Sequence, residues 1–378
     1  MSKIVIIGTA YPLRGGGLAT FNERLARQFL AEGHEVLIYT FTLQYPEFLF
    51  PGKSQYSEGE PPDDLNIIEA INSVNPINWI CSGLKIKREY ADIVLIRYWI
   101  PFMAPCLGTI ARIVSSNKHS KIIGIIDNVI PHEKRPGDRI FTKYFVKSVG
   151  GFLTMSELVK NNLRDFTQKE IDLVHHPLYD NFGEKIPKRV AREKLNIPND
   201  VYVFLFFGFI RKYKGLDLLI SAFELLENNE NLRLLICGEF YACEEEINDQ
   251  INRSKKNSQI LKHTHFIKDE DVGIYFSAAD CVVQPYRSAT QSGVTPLTYH
   301  FEIPMIVTNV GALPDLVPPD LGKVCIPEPE DIARAMQEML TFDLDKFEIN
   351  IKDEKKKLSW EKFTSAIIQL GEKLKLNK

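Results

Sequence analysis

Two loops of this chain gather the residue types that hold a diphosphate. Phe206-Phe-Gly-Phe-Ile-Arg-Lys-Tyr-Lys-Gly215 places Arg211, Lys212 and Lys214 immediately before an apolar helical run. Arginine offers phosphate oxygens a planar fork, and lysine a point charge. Pro285-Tyr-Arg-Ser-Ala-Thr-Gln-Ser-Gly-Val-Thr-Pro296 follows the apolar run Cys281–Gln284. Ser292, Gly293 and Val294 would present main-chain N–H groups at a helix start, where the dipole favours negative charge. Together with Arg211 and Lys214 they could complete a diphosphate cradle. A third loop, Gly8–Gly17, ends on Gly15, Gly16 and Gly17. Three glycines before a helix let the backbone come close to a ligand. Beyond the run Lys121–Ile126 stand Asp127, which can accept a hydrogen bond from a hydroxyl, and His132, which can bind an anion or pass a proton. Each loop also has a plainer reading: a flexible turn, solvated lysines, or helix capping by Thr290 or Ser292.

The elements that must position these loops repeat one pattern. Strand-like runs cover Lys3–Gly8, Glu35–Thr40, Ile93–Arg97, Lys121–Ile126, Gly151–Thr154 and Ile171–Val174. An amphipathic helix is expected from Leu18 to Glu32. In the second half the runs are Val201–Phe207, Leu232–Cys237, Thr264–Ile267, Cys281–Gln284, Met305–Val307 and Lys323–Ile326, again separated by helical patterns. Continuous apolar strands alternating with helices predict parallel sheets covered on both faces. Ligands of such sheets bind at the carboxyl ends of the strands, where all these loops fall. The fold class is therefore α/β, with domains at 1–180 and 181–358. The tail 360–375 carries one apolar stripe and is expected to dock back on the first domain.

A length of 378 residues fits two domains better than one core. Residues 1–180 hold 20 Lys/Arg and 19 Asp/Glu, and the remainder 26 and 30, or +1 against −4. That balance argues against a nucleic-acid partner. Six cysteines without C-x-x-C spacing give a disulfide framework or zinc site little support and fit a reducing cytoplasm. The triplets Asp269-Glu-Asp271 and Asp343-Leu-Asp345 fall at helix starts, where acidic residues suit the dipole without a metal. The apolar stretch Ile93–Val114 is interrupted by Arg97 and Arg112 and is too short in its charge-free part to span a bilayer. Trp79–Arg88, with Lys85, Lys87 and Arg88, is compatible with either a solvated helix face or peripheral contact with an anionic membrane. No G-x-G-x-x-G, G-x-S-x-G or Walker loop is present.

Several motifs in order resemble family 4 of the retaining glycosyltransferases. They are Tyr11-Pro-Leu-Arg-Gly-Gly-Gly17 with Gly33-His-Glu-Val36, Gly208-Phe-Ile-Arg-Lys-Tyr-Lys-Gly-Leu-Asp-Leu-Leu-Ile220, Ala278-Ala-Asp-Cys-Val-Val-Gln-Pro-Tyr286 and Thr308-Asn-Val-Gly-Ala-Leu-Pro314. Phe48-Leu-Phe-Pro-Gly-Lys53 and Ser288-Ala-Thr-Gln-Ser-Gly293 are closest to a bacterial cell-envelope and exopolysaccharide branch. The resemblance implies the GT-B fold, two facing Rossmann-like doubly wound domains with an interdomain cleft. It implies transfer of a hexose-type sugar from a nucleoside-diphosphate sugar to a hydroxyl of a glycan or lipid-linked acceptor, with anomeric retention and no metal or other cofactor. The site would be cytoplasmic, or peripheral on the inner face of the membrane.

Carried over residue by residue, the resemblance gives Asp127, Arg211 and Lys214 the catalytic positions. Gly16, Gly17, Arg211, Lys214, Ser292, Gly293 and Val294 would hold the diphosphate. Gly15 and His132 would meet the acceptor, and Phe266 and Ile267 the base. Thr290, Gln291 and Thr298 would line the sugar and ribose. The pattern departs at Thr290 and Thr298, where the family usually has two glutamates, at Asp127, where it has a histidine, and at Phe209, where many members have arginine. These departures keep a non-catalytic nucleotide-sugar or glycan-binding scaffold open. An epimerase would need cleft carboxylates, and a nicotinamide dehydrogenase would need the absent glycine fingerprint.

Overall fold

The computed structural model describes residues 1–14, 17–46, 54–57, 59–130, 135–227, 230–290 and 292–376. It divides into two compact units. One is Met1–Pro177 together with the segment from Ser359, and the other is Leu178–Leu358.

The first unit is built on seven strands: β1 (Lys3–Ile7), β2 (Glu35–Leu43), β3 (Ile67–Asn72), β4 (Ile93–Tyr98), β5 (Lys121–Ile126), β6 (Gly151–Thr154) and β7 (Ile171–Leu173). They run parallel in the order β3-β2-β1-β4-β5-β6-β7. Every residue of β4, β5 and β6 is buried, as expected for strands covered on both faces. The connecting helices are α1 (Ala19–Ala31), α2 (Pro76–Arg88), α3 (Ala104–Ser115), α4 (Asp138–Ser148) and α5 (Glu157–Arg164).

The second unit begins with α6 (Lys188–Leu195) and carries six strands: β8 (Tyr202–Phe207), β9 (Leu232–Cys237), β10 (Ile260–His263), β11 (Cys281–Gln284), β12 (Met305–Thr308) and β13 (Gly322–Cys325). Their order is β10-β9-β8-β11-β12-β13, again all parallel. Its other helices are α7 (Leu216–Leu225), α8 (Glu244–Arg253), α9 (Asp269–Ala278), α10 (Val294–His300), α11 (Pro329–Met339) and α12 (Leu344–Lys357). Asp269 and Asp271 occupy the first turn of α9, and Asp343 caps α12 by accepting from the Lys346 N–H at 3.0 Å.

The last helix, α13 (Trp360–Leu376), returns to the first unit and packs on α1, β5 and β6. The rings of Trp360 and Phe363 lie 5.0 and 5.4 Å from that of Phe21. Gly151 lets the helix come close, since a Cβ there would lie 3.1 Å from Leu374.

Two strands differ from the sequence reading, and both are at sheet edges. The strand expected at Thr264–Ile267 lies at Ile260–His263, paired from Ile260↔Leu234 to His263↔Cys237. The edge strand β3 was not anticipated. An edge strand needs only a partly apolar face, so Lys262, His263 and Glu69 disguise it. The polar stretch Asp180–Pro198 contains α6, anchored by buried Arg192, which is paired with Asp280 at 2.6 Å.

Candidate active site

The strand order of the second unit reverses between β8 and β11, and the two cradle loops leave the sheet there. Several contacts bind them into one surface. Gly215 has φ +66°, and a Cβ on it would lie 2.0 Å from the Pro285 carbonyl oxygen. That close approach requires glycine. The Arg287 N–H donates to the Tyr213 carbonyl at 2.7 Å, and its side chain donates to the Lys212 carbonyl at 3.2 Å. The Arg287 guanidinium also grips both Asp217 oxygens, at 2.6 and 2.5 Å. Burial raises the Asp217 pKa, but the hydrogen bond and charge of Arg287 outweigh it and hold the carboxyl below its usual range.

Arg211 and Lys214 stand on this joint without an ion-pair partner among the described residues. The exposed Arg211 guanidinium lies 5.0 Å over the Tyr241 ring. Lys214 is half-buried, its Nζ 5.5 Å from the Tyr286 ring centroid. A Cβ on Gly208, which has φ +102°, would come within 2.9 Å of that Nζ. Burial, then the charge of Arg211, pushes the Lys214 ammonium down to about 8. A group held that way gains from any anion brought beside it.

The second loop is only partly as expected. Buried Ser292 donates its hydroxyl to Gln284 Oε1 at 2.6 Å and accepts from the Val294 N–H at 3.2 Å. The Val294 amide is thus already engaged. Thr298 is fully buried, and its hydroxyl donates to the Val294 carbonyl one helical turn back at 2.7 Å. Its hydroxyl is turned into its own helix. Thr290 is half-buried, whereas Gln291 lies outside the described residues.

Aromatic rings from three successive loops meet beside Arg211. Phe209 follows β8, Tyr241 follows β9 and Phe266 follows β10. Their centroids are 4.4 Å apart for Phe209 and Tyr241, and 6.5 Å for Phe209 and Phe266. Ile267 is buried behind Phe266 in sequence. The loops are fixed by Ile210 N–H donating to the Glu239 carbonyl and Tyr241 N–H donating to the Ile210 carbonyl, both at 2.9 Å. Such a wall can stack a planar ring.

In the first unit the order reverses between β1 and β4. Here Asp127, just beyond β5, is buried and accepts from Arg97 of β4 through both oxygens, at 2.7 and 3.0 Å. The Arg97 guanidinium lies 3.9 Å over the Phe21 ring, and its Nη1 has no hydrogen-bond partner. Burial, and then Arg97, lowers the neighbouring His176 to about 3, so it stays neutral. Gly17 lies in the turn before α1. Gly15, Gly16 and His132 lie outside the described residues.

Residues 187–357 match the family described as Glycosyl transferases group 1. A 124-residue stretch is 29% identical to the alpha-monoglucosyldiacylglycerol synthase of Acholeplasma laidlawii, covering 32% of this chain and 30% of that relative. Sucrose-phosphate synthase from Thermosynechococcus elongatus superposes with a TM-score of 0.76 at 16% identity, over 100% of both chains. HepE of Anabaena, solved with UDP, does so at 0.71 and 12%, over 100% of this chain and 99% of that one. The fold is thus a pair of parallel-sheet Rossmann-like domains matching GT-B glycosyltransferase structures, and the glycosyltransferase class is supported.

Within the segment matching group 1 glycosyl transferases, the structure brings Arg211, Lys214, Ser292 and Gly293 onto one joint. Phe266 sits by the adjoining aromatic wall. Thr298 faces away. Sequence reasoning missed Tyr241 and the Asp217–Arg287 fork. It also missed Arg97, although a charge inside the apolar run Ile93–Tyr98 demands a partner and was a usable signal.

Proposed function

We propose that the chain transfers a hexose-type sugar from a nucleoside-diphosphate sugar to a hydroxyl of a glycan or lipid-linked acceptor, with anomeric retention, in building cell-envelope polysaccharide. The observation that carries this reading is the pair of cations without ion-pair partners, Arg211 and Lys214, fixed where the second sheet reverses its order. The diphosphate would lie against them and the Ser292–Gly293 backbone. The base would stack by Phe209, Tyr241 and Phe266, and the sugar would pass near Thr290.

In the reaction the bond from the anomeric carbon to the phosphate oxygen breaks, and its electron pair leaves with the diphosphate. Arg211 and Lys214 stabilise that growing charge without moving. They supply the countercharge that a divalent ion gives in other sites. The acceptor oxygen forms its bond on the same face and passes its proton to a leaving phosphate oxygen. Asp127 suits a fixed acceptor for a substrate hydroxyl better than a base, because both its oxygens are already held by the Arg97 guanidinium. By the resemblance, Gly15 and His132 would meet the acceptor, and Gly16 and Gly17 the diphosphate.

Thermal shifts with UDP-, GDP-, ADP- and dTDP-sugars test this reading. One nucleotide is expected to raise the melting temperature clearly above the rest. A flat panel would overturn donor binding. A nucleotide-specific shift without hydrolysis or transfer would favour a non-catalytic binding protein, the reading suggested by Thr290 and Thr298 in place of carboxylates.

Lys214 also predicts a pH profile. Its pKa is about 8 in the folded chain, against 10.5 unperturbed, and a bound diphosphate raises it again. Donor affinity is therefore expected to be level below about pH 8. Above it, affinity should fall by up to about tenfold per pH unit, because binding then requires proton uptake. Calorimetric titration across that range reads the slope, and a profile level to about pH 10 would remove Lys214 from the phosphate contact. For the unliganded chain the sign is opposite: its lysine contribution to stability improves between about 8 and 10.5.

A further inference from the structure

The proposed cradle provides for a diphosphate and a base but gives the pentose that joins them no acceptor for its hydroxyls. Thr298, at the position expected to meet a ribose, is fully buried and donates its hydroxyl to the Val294 carbonyl of its own helix. The order of the second sheet marks where another acceptor must stand. Arg211 and Lys214 follow β8, Phe266 follows β10, and β9 lies between those strands. The loops after β8 and β10 are therefore about 10 Å apart, two strand spacings, with the end of β9 between them. A nucleotide has one pentose between its base and its first phosphate, so that pentose must cross the carboxyl end of β9.

The residues there are Cys237-Gly-Glu-Phe-Tyr241, and their backbone is clamped to the cradle loop. The Gly208 N–H donates to the Cys237 carbonyl and the Ile210 N–H to the Glu239 carbonyl, both at 2.9 Å. Gly238 has φ +135°, and a Cβ on it would lie 2.2 Å from the Gly208 carbonyl oxygen. Only glycine fits that approach, which sets the next residue, Glu239, beside the cradle loop. Ile210 and Phe240 form a parallel bridge and pack together in the core beneath α7, α8 and α11. Side chains alternate along extended backbone. Glu239 and Tyr241 therefore flank Phe240 on the opposite side, where the Tyr241 ring meets Phe209. Glu239 is only 7% exposed, which is unusual for a carboxylate at the rim of a sheet. Counted from β8, the strand order is 3-2-1-4-5-6. In sheets of that order, an acidic residue after the second strand is placed for the hydroxyls of a ribose.

We infer that Glu239 reads the ribose of the donor: its carboxylate accepts hydrogen bonds from the 2′- and 3′-hydroxyls, a task that Thr298 does not perform in this chain. A carboxylate has two oxygens and about four acceptor positions, enough for both hydroxyls. The inference rests on the donor reading proposed above and narrows it to ribonucleotide sugars, to the disadvantage of 2′-deoxyribonucleotide ones.

Calorimetric titration with UDP, GDP and ADP, each beside its 2′-deoxy and 2′,3′-dideoxy forms, tests the contact without an acceptor. For the nucleotide that the parent chain binds, the dideoxy form is expected to bind about 10–150-fold more weakly, the size of a lost contact to a charged group. Glu239→Gln should bind the ribonucleotide about tenfold more weakly than the parent does and the dideoxy form equally well. A purely structural role would instead weaken both forms alike. If the glutamine variant does not fold, Glu239→Asp, which draws the charge back by one methylene, should narrow the same preference. Equal affinity of the parent for the ribose and dideoxy forms would overturn the assignment, as would a folded Glu239→Gln that keeps the full preference or loses both forms together. A parent that binds none of the nucleotides would remove the donor site itself, and this contact with it.

Discussion

An Arg97→Met variant is expected to lose about 3–5 kcal/mol of stability in the first unit. Methionine keeps the length that packs against Phe21 but removes the charge. Asp127 would then be a buried carboxylate without the guanidinium that now bonds both its oxygens. Desolvation of that anion is the main cost. The same logic makes Asp127→Leu damaging alone, because Arg97 is then the orphan. The double variant should recover much of the loss, since an apolar pair needs no solvation. Chemical denaturation of the three variants closes the cycle. If Arg97→Met costs less than about 1 kcal/mol, the pair is more hydrated than its burial indicates.

Lys214→Ala is expected to weaken donor-nucleotide binding by about 10–150-fold, the size of one lost charge-assisted contact of roughly 1.5–3 kcal/mol. Turnover at saturating donor should fall as well, since the charge on the leaving diphosphate grows as the bond breaks. Stability should not fall in parallel. The lysine is held below its ordinary pKa by burial and Arg211, so removing it relieves a cost when no donor is bound. A loss of binding together with a gain or no change in melting temperature separates a ligand contact from a structural one. Unchanged affinity and rate would dismantle the cradle.

Much of the fold was legible because its central strands are buried on both faces and read as runs made mostly of Val, Ile, Leu and Phe. β4, β5, β8 and β11 were found for that reason. β3 and β10 were missed or displaced because an edge position relaxes the demand for apolar residues. Arg211, Lys214 and Ser292 were legible as residue types on loops at strand ends. Their mutual fixation was not, because it depends on Gly215 touching Pro285 and on Arg287 reaching Asp217, contacts separated by 70 positions. Thr298 shows a detail that a motif does not carry. Its place suggested a ribose contact, and the structure shows its hydroxyl donating to the Val294 carbonyl one turn back along α10.

The return of α13 to the first unit also governs the order in which the protein can be made. Residues from Trp360 on leave the ribosome only after all of Leu178–Leu358 has been synthesised. Until then Phe21 of α1 and Gly151 of β6 lack the helix that covers them in the finished fold. The second unit is continuous in sequence and can close as soon as it emerges, whereas the first must wait with part of its sheet uncovered. During synthesis the domain that begins first is therefore completed last.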